Sequence, residues 1–108
     1  MTFLNAKELD ELQQIMDSHP LVLLYVTSED CGVCHAILPR LQNMLVNYEQ
    51  VTVVKCSLNE GSEITGQYLI MTVPTLCLFF EGKEIFRTSR FIDFAQLERQ
   101  IKLFSENL

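Results

Sequence analysis

Three apolar runs, Leu21–Thr27, Val51–Leu58 and Thr75–Phe80, alternate with segments whose apolar residues recur at helical spacing, and this alternation constrains the fold most. Each run is too short for a buried helix and is rich in β-branched, leucine or aromatic side chains, so each reads as a strand covered on both faces. Between and around them, Leu9, Leu12, Ile15 and Met16 form one helical stripe, and Ile37, Leu38, Leu41, Met44 and Leu45 form a second. Phe94, Leu97, Ile101 and Phe104 form a third, with Asp93 as its cap and Gln96 at the capping-box position. Asn5 followed by Glu8 predicts a similar start for the first helix, and His19-Pro20 ends it, because the residue before proline avoids the α region.

The remaining punctuation completes the order. Residues 2–4 read as a short strand, Ser28–Asp30 as a turn, and Cys31 to about Tyr48 as a helix with Pro39 kinking its interior. Residues 62–70 read as a short helix weakened by Gly61 and Gly66. Glu81-Gly82-Lys83 is a turn signal, so Glu84–Ser89 returns antiparallel to the preceding run. The order β-α-β-α-β-α-β-β-α predicts strands paired in parallel through right-handed crossovers, made mixed by the hairpin at 75–89. The fold class is an α/β three-layer sandwich, with a central mixed sheet and helices on both faces.

At 108 residues the chain has room for one domain, 1–108, and no linker, repeat or low-complexity segment divides it. Eight basic against fourteen acidic side chains leave a net charge of −6, which argues against a nucleic-acid partner. No apolar run reaches the ~18 residues of a membrane span. The N-terminus turns polar at once and lacks the pattern of a secretory signal, so the expected location is cytoplasmic. A single acidic domain with no evident apolar stripe on its surface is expected to be a monomer.

Of the four cysteines, only Cys31 and Cys34 are close, as Cys31-Gly32-Val33-Cys34. They open a helix that follows a buried strand. Unpaired N–H groups and partial positive charge at that terminus favour a thiolate. The first cysteine is expected to be the more exposed and so the nucleophile. The second, three residues on, lies on the same face and can resolve a mixed disulfide. Cys56 and Cys77 sit inside apolar runs and read as small buried hydrophobes. Cys31-Gly-Val-Cys-His35 also matches the haem-c attachment pattern, but haem would leave the strand–helix alternation without a role. Zinc needs about four ligands, and one CxxC supplies two. Neither a metal nor a cofactor is expected.

The CxxC pair, Pro39 within its helix, and Val73-Pro74-Thr75 entering the third long run together resemble the thioredoxin family, along essentially the whole chain. The resemblance implies that Pro74 is cis and lies against the cysteine pair. It implies that Val73 offers backbone hydrogen bonds to a docked substrate and that Thr75 completes that motif. Lys55 matches a family lysine near the site, and Gly82 matches the glycine of the hairpin turn. The implied activity is thiol–disulfide exchange, with protein disulfides as substrates and a thioredoxin reductase-type flavoprotein as electron donor.

Several residues depart from the family. Asp30 stands where tryptophan is usual, Val33 where proline is usual, and Tyr25 where a buried aspartate accepts the proton of the second cysteine. A phenol with an unperturbed pKa of ~10 is a poor base at neutral pH, so resolution by Cys34 is expected to be slow. Arg90 replaces a glycine beside the substrate groove, which should narrow or recharge it. Glu29 and Asp30 oppose the thiolate that the helix terminus favours, and His35 modulates the thiols at most. These departures keep two alternatives open: a binding or adaptor module with weak turnover, and a more oxidising, isomerase-type protein.

Overall fold

The computed structural model describes residues 1–108. The chain runs β1 (Thr2–Asn5), α1 (Leu9–Ser18), β2 (Leu21–Thr27), α2 (Gly32–Leu45), β3 (Val51–Ser57), α3 (Ser62–Gln67), β4 (Thr75–Phe80), β5 (Lys83–Ser89) and α4 (Phe94–Ser105). The five strands form one sheet in the order β1-β3-β2-β4-β5.

All seven residues of β2 are buried, and the strand's two-residue period splits them between two layers. Leu21, Leu23 and Tyr25 join Val51, Val53, Leu76 and Leu78 beneath α2 and α4, which contribute Ile37, Leu41, Leu45, Leu97 and Ile101. Val22, Leu24 and Val26 join Val54, Cys56, Cys77 and Phe79 beneath Leu12 and Met16 of α1 and Ile64 of α3. The sheet is therefore covered on both faces, and no helix is long and apolar enough to cross a membrane.

β1, β3 and β2 are parallel, but β4 runs antiparallel to β2, so the expected third parallel crossover does not form. The physical reason is where the connecting segment is anchored. The Gly61 N–H donates to the Ser57 carbonyl at 2.8 Å, so α3 starts at the end where β3 finishes. Its six residues span about 9 Å, and the buried Ile64 and Ile70 hold this segment in the layer under α1. The chain instead stays at the end where β3 finishes and re-enters the sheet there. Register confirms it: Thr27 pairs with Ser57, Val26 with Thr75, and Thr75 with Ser89. The exits of β2, β3 and β5 and the entry of β4 thus share one end of the sheet.

Helix boundaries differ in detail from the sequence pattern. The cap of α1 is Glu8, not Asn5, which belongs to β1. Glu8 and Glu11 form a reciprocal capping box, with Glu11 accepting from the Glu8 N–H at 3.1 Å. α2 stops at Leu45 and α3 at Gln67, each about three residues short of the apolar pattern. At α4, Asp93 accepts from the Gln96 N–H at 3.1 Å, as the capping signature implies. Glu81 and Gly82 turn the β4–β5 hairpin with φ of 50° and 81°.

Candidate active site

The shared end of the sheet carries the redox pair. Cys31 is the N-cap of α2, in extended conformation, and Cys34 lies in the helix's first turn. They form a disulfide with their Cα atoms 5.3 Å apart. The Cys34 N–H donates to Cys31 Sγ at 3.2 Å, so one of the orphan amides of the helix terminus already points at the sulfur that would carry charge after reduction. Cys31 is partly exposed whereas Cys34 is 1% exposed, so one sulfur can be reached from solvent and the other cannot. Gly32 and Val33 fill the intervening helical positions and both face solvent. A Cβ at Gly32 would meet nothing within 4 Å.

Val73 and Pro74 are joined by a cis peptide bond. Pro74 is buried, and Val73 packs against both core layers, with Cys31 also against the first of them. Thr75 fixes this entry: its hydroxyl donates to the Thr72 carbonyl at 2.7 Å and pairs with Ser89 Oγ at 3.0 Å. The Pro74 carbonyl accepts from the Arg90 N–H at 2.9 Å, which ties β5 to the same place.

Tyr25 comes from β2 on the α2 side of the sheet and is 2% exposed. Its hydroxyl donates to the Cys34 carbonyl at 2.5 Å. Burial raises its pKa above the usual phenol value, which keeps the group neutral and a donor. A cleft of about 390 Å³ opens beside it, lined by Cys34, His35, Lys55, Glu29 and Glu60 among others. Lys55 pairs in register with Tyr25 and lies on the same face. The two cleft carboxylates are both exposed, and Glu60 holds Lys7 at 3.0 Å. No carboxylate occupies Tyr25's buried position under Cys34.

Asp30 is exposed, without a side-chain partner, in the turn that the Cys31 N–H closes on the Ser28 carbonyl at 3.3 Å. His35 is exposed on α2. Cys56 and Cys77 are free thiols on the α1–α3 face, so the sheet separates them from the disulfide. Burial pushes their thiols up to about 11 and about 12. No group of three or more His, Cys, Asp or Glu side chains converges as a metal site would require.

The sequence pattern conceals one feature of this end of the molecule. Val33, Leu69, Met71 and Phe91 are 63%, 73%, 83% and 93% exposed. They occupy the first turn of α2 and the loops flanking Pro74 and Arg90. An apolar stripe is recognised by its period, and loop residues have none. Only their position beside the cysteine and Val-Pro-Thr motifs points to them.

The thioredoxin family model matches residues 2–103. The chain is 32% identical to the thioredoxin-like protein YdfQ of Bacillus subtilis, over 84% of this chain and 81% of that protein. It is 33% identical to thioredoxin of Chlamydia trachomatis, over 81% and 82%. Among solved structures, reduced Schistosoma mansoni thioredoxin pre-protein superposes with a TM-score of 0.84 at 22% identity, over 96% of this chain and 99% of that one. Oxidised Plasmodium falciparum thioredoxin gives 0.82 at 23%, over 96% and 99%. With its fold, its cysteine pair and its relatives in agreement, the chain belongs to the thioredoxin family, and Cys31–Cys34 is its thiol–disulfide exchange centre.

Proposed function

We propose that this protein reduces disulfides in other proteins. Cys31 as thiolate attacks one sulfur of the substrate disulfide, forming a mixed disulfide and releasing the other sulfur as a thiolate that takes up a proton. Cys34, deprotonated in turn, attacks Cys31 Sγ and expels the second substrate thiol. The substrate gains two electrons and two protons, and the Cys31–Cys34 disulfide remains. A flavoprotein reductase of the thioredoxin reductase type restores the dithiol. Val73 would orient the substrate strand through its backbone, with Pro74 and Thr75 holding that backbone in place. The observation carrying this reading is the asymmetry of the pair: a reachable Cys31 sulfur facing the Cys34 N–H, and a buried Cys34 beneath it. The proposed setting is the cytoplasm, where thiol-reducing systems keep a dithiol such as Cys31–Cys34 supplied with electrons. The proposed state is a monomer.

The reduction potential of the pair tests this, by equilibration in dithiol buffers with thiol counting. A value near about −270 mV supports a reductase, whereas about −120 to −180 mV indicates an oxidant or isomerase and overturns it. One observation favours a second reading, an adaptor with weak turnover: Tyr25 donates to the Cys34 carbonyl where a base would be useful. Cys34→Ser separates the two, since a reductase then captures clients as mixed disulfides and an adaptor captures none.

A further inference from the structure

We propose that Arg90 is a specificity-determining residue, selecting clients that carry an acidic side chain beside the cysteine under attack. The proposal rests on the reading of the protein as a reductase of protein disulfides.

Three observations converge on it. First, Arg90 has a φ of 63°, in the left-handed region that glycine enters without penalty and a long side chain does not. Its backbone is pinned there by the 2.9 Å hydrogen bond from its N–H to the Pro74 carbonyl. Strain of this kind is held where the surroundings impose it, and here they are the substrate-facing end of the sheet.

Second, the guanidinium is uncommitted. Arg87, three residues earlier, holds Glu84 at 2.7 Å and the Tyr68 carbonyl at 2.6 Å, and Arg40 lies 4.1 Å above the Phe94 ring. Arg90 makes no side-chain hydrogen bond and no ion pair, and it is exposed. Glu29 and Asp30, which precede Cys31, form no ion pair with Arg90. From β2 to β5 is two strand spacings, about 10 Å, so the docking face carries negative charge at the redox turn and positive charge across from it.

Third, Arg90 is set among apolar groups that nothing in the chain covers. Phe91 follows it at 93% exposure, and Met71 sits two residues before Val73 at 83%. A client segment lying across Val73 covers these side chains and lowers the dielectric around the guanidinium, which strengthens its pull on a carboxylate. The occupant is therefore an extended, disulfide-bearing segment with an acidic residue near the attacked sulfur and an apolar neighbour.

The test is kcat/KM for a series of peptide disulfides that differ at one residue on either side of the cysteine, carrying Glu, Gln or Lys. The wild-type protein should favour Glu over Lys by about three- to fivefold at low salt, and the ratio should shrink as salt rises. Arg90→Gly, which suits the backbone, should bring the ratio to about one or below, with Glu29 and Asp30 left as the charges beside Cys31, and Arg90→Glu should invert it further. Turnover with the same ratio in all three proteins overturns the role of Arg90 and leaves the reductase reading standing. No turnover of any peptide by the wild-type protein overturns both.

Discussion

Replacing Gly61 with alanine would put a methyl group where the Cys56 sulfur already lies. An ideal Cβ there falls deep inside the van der Waals radius of Cys56 Sγ, and comes 3.2 Å from the Ser57 carbonyl and 3.6 Å from that of Lys7. The backbone itself would accept alanine, since Gly61 has a φ of −103°. The obstacle is space. Cys56 is 1% exposed in β3, and the Gly61 N–H is held to the Ser57 carbonyl at 2.8 Å, so neither partner retreats freely. Overpacking of a buried site costs about 1–3 kcal/mol. In urea, with a slope of about 1–3 kcal/mol per molar, the unfolding midpoint should fall by about 1 M. Far-UV circular dichroism follows it, as the chain has no tryptophan. Cys56→Ala alone should cost about 1–2 kcal/mol as a small cavity. In the double variant the methyl occupies the space the sulfur left, so the two losses should fall short of their sum by at least about 1 kcal/mol. Losses that add within about 0.5 kcal/mol would refute the steric account.

Other consequences are accessible with standard assays. Tyr25→Phe removes a buried hydrogen bond and should lower stability by about 0.5–1.5 kcal/mol in the same urea assay. Tyr25→Asp should speed release of product from a preformed mixed disulfide in rapid-quench measurements, and an unchanged rate would show that proton removal from Cys34 is not limiting. Cys56 and Cys77 have folded pKa values raised from 9.0 to about 11 and about 12 by burial. Their contribution to stability is therefore full below pH 9 and lost as pH rises through 11 and 12, so the urea midpoint should drop from pH 8 to pH 10.5. Both thiols should resist iodoacetamide in the native protein at pH 8. Asp93→Ala deletes the α4 cap and should cost about 1 kcal/mol, read from thermal melts.

Much of this architecture is legible in the chain because its signals are local and strong. β2 and β4 have the bounds of their apolar runs, and the Asp93–Gln96 cap forms as its residue types require. The Cys31–Cys34 pair is legible because spacing and context agree. The direction of β4 is not, since it depends on where residues 58–74 are anchored once the chain has folded. The pattern puts the α1 cap at Asn5 because Asn is a better cap in isolation than Glu, whereas pairing of β1 with β3 takes Asn5 into the sheet and leaves Glu8 at the helix start. The contact of Gly61 with Cys56 and the clustering of Met71, Phe91 and Val33 around the redox end are products of tertiary structure, and no periodicity announces them.

The division of β3 into alternating faces has a consequence for the Cys56 sulfur. Lys55 and Ser57 line the cleft beside Cys34, while Cys56, between them, points to the other side. Odd and even positions along the strand thus hold the Cys56 sulfur away from the pair of sulfurs that must exchange. A one-residue slip of β3 would exchange the sides, burying Lys55 beneath α1 and α3 and delivering a third thiol to the Cys31–Cys34 centre. The penalty on burying that lysine, together with the loss of Val53 and Val54 from their layers, guards the register. Fidelity of disulfide exchange in this protein is, in that sense, a matter of counting: it is kept by the parity of a strand that takes no part in the reaction.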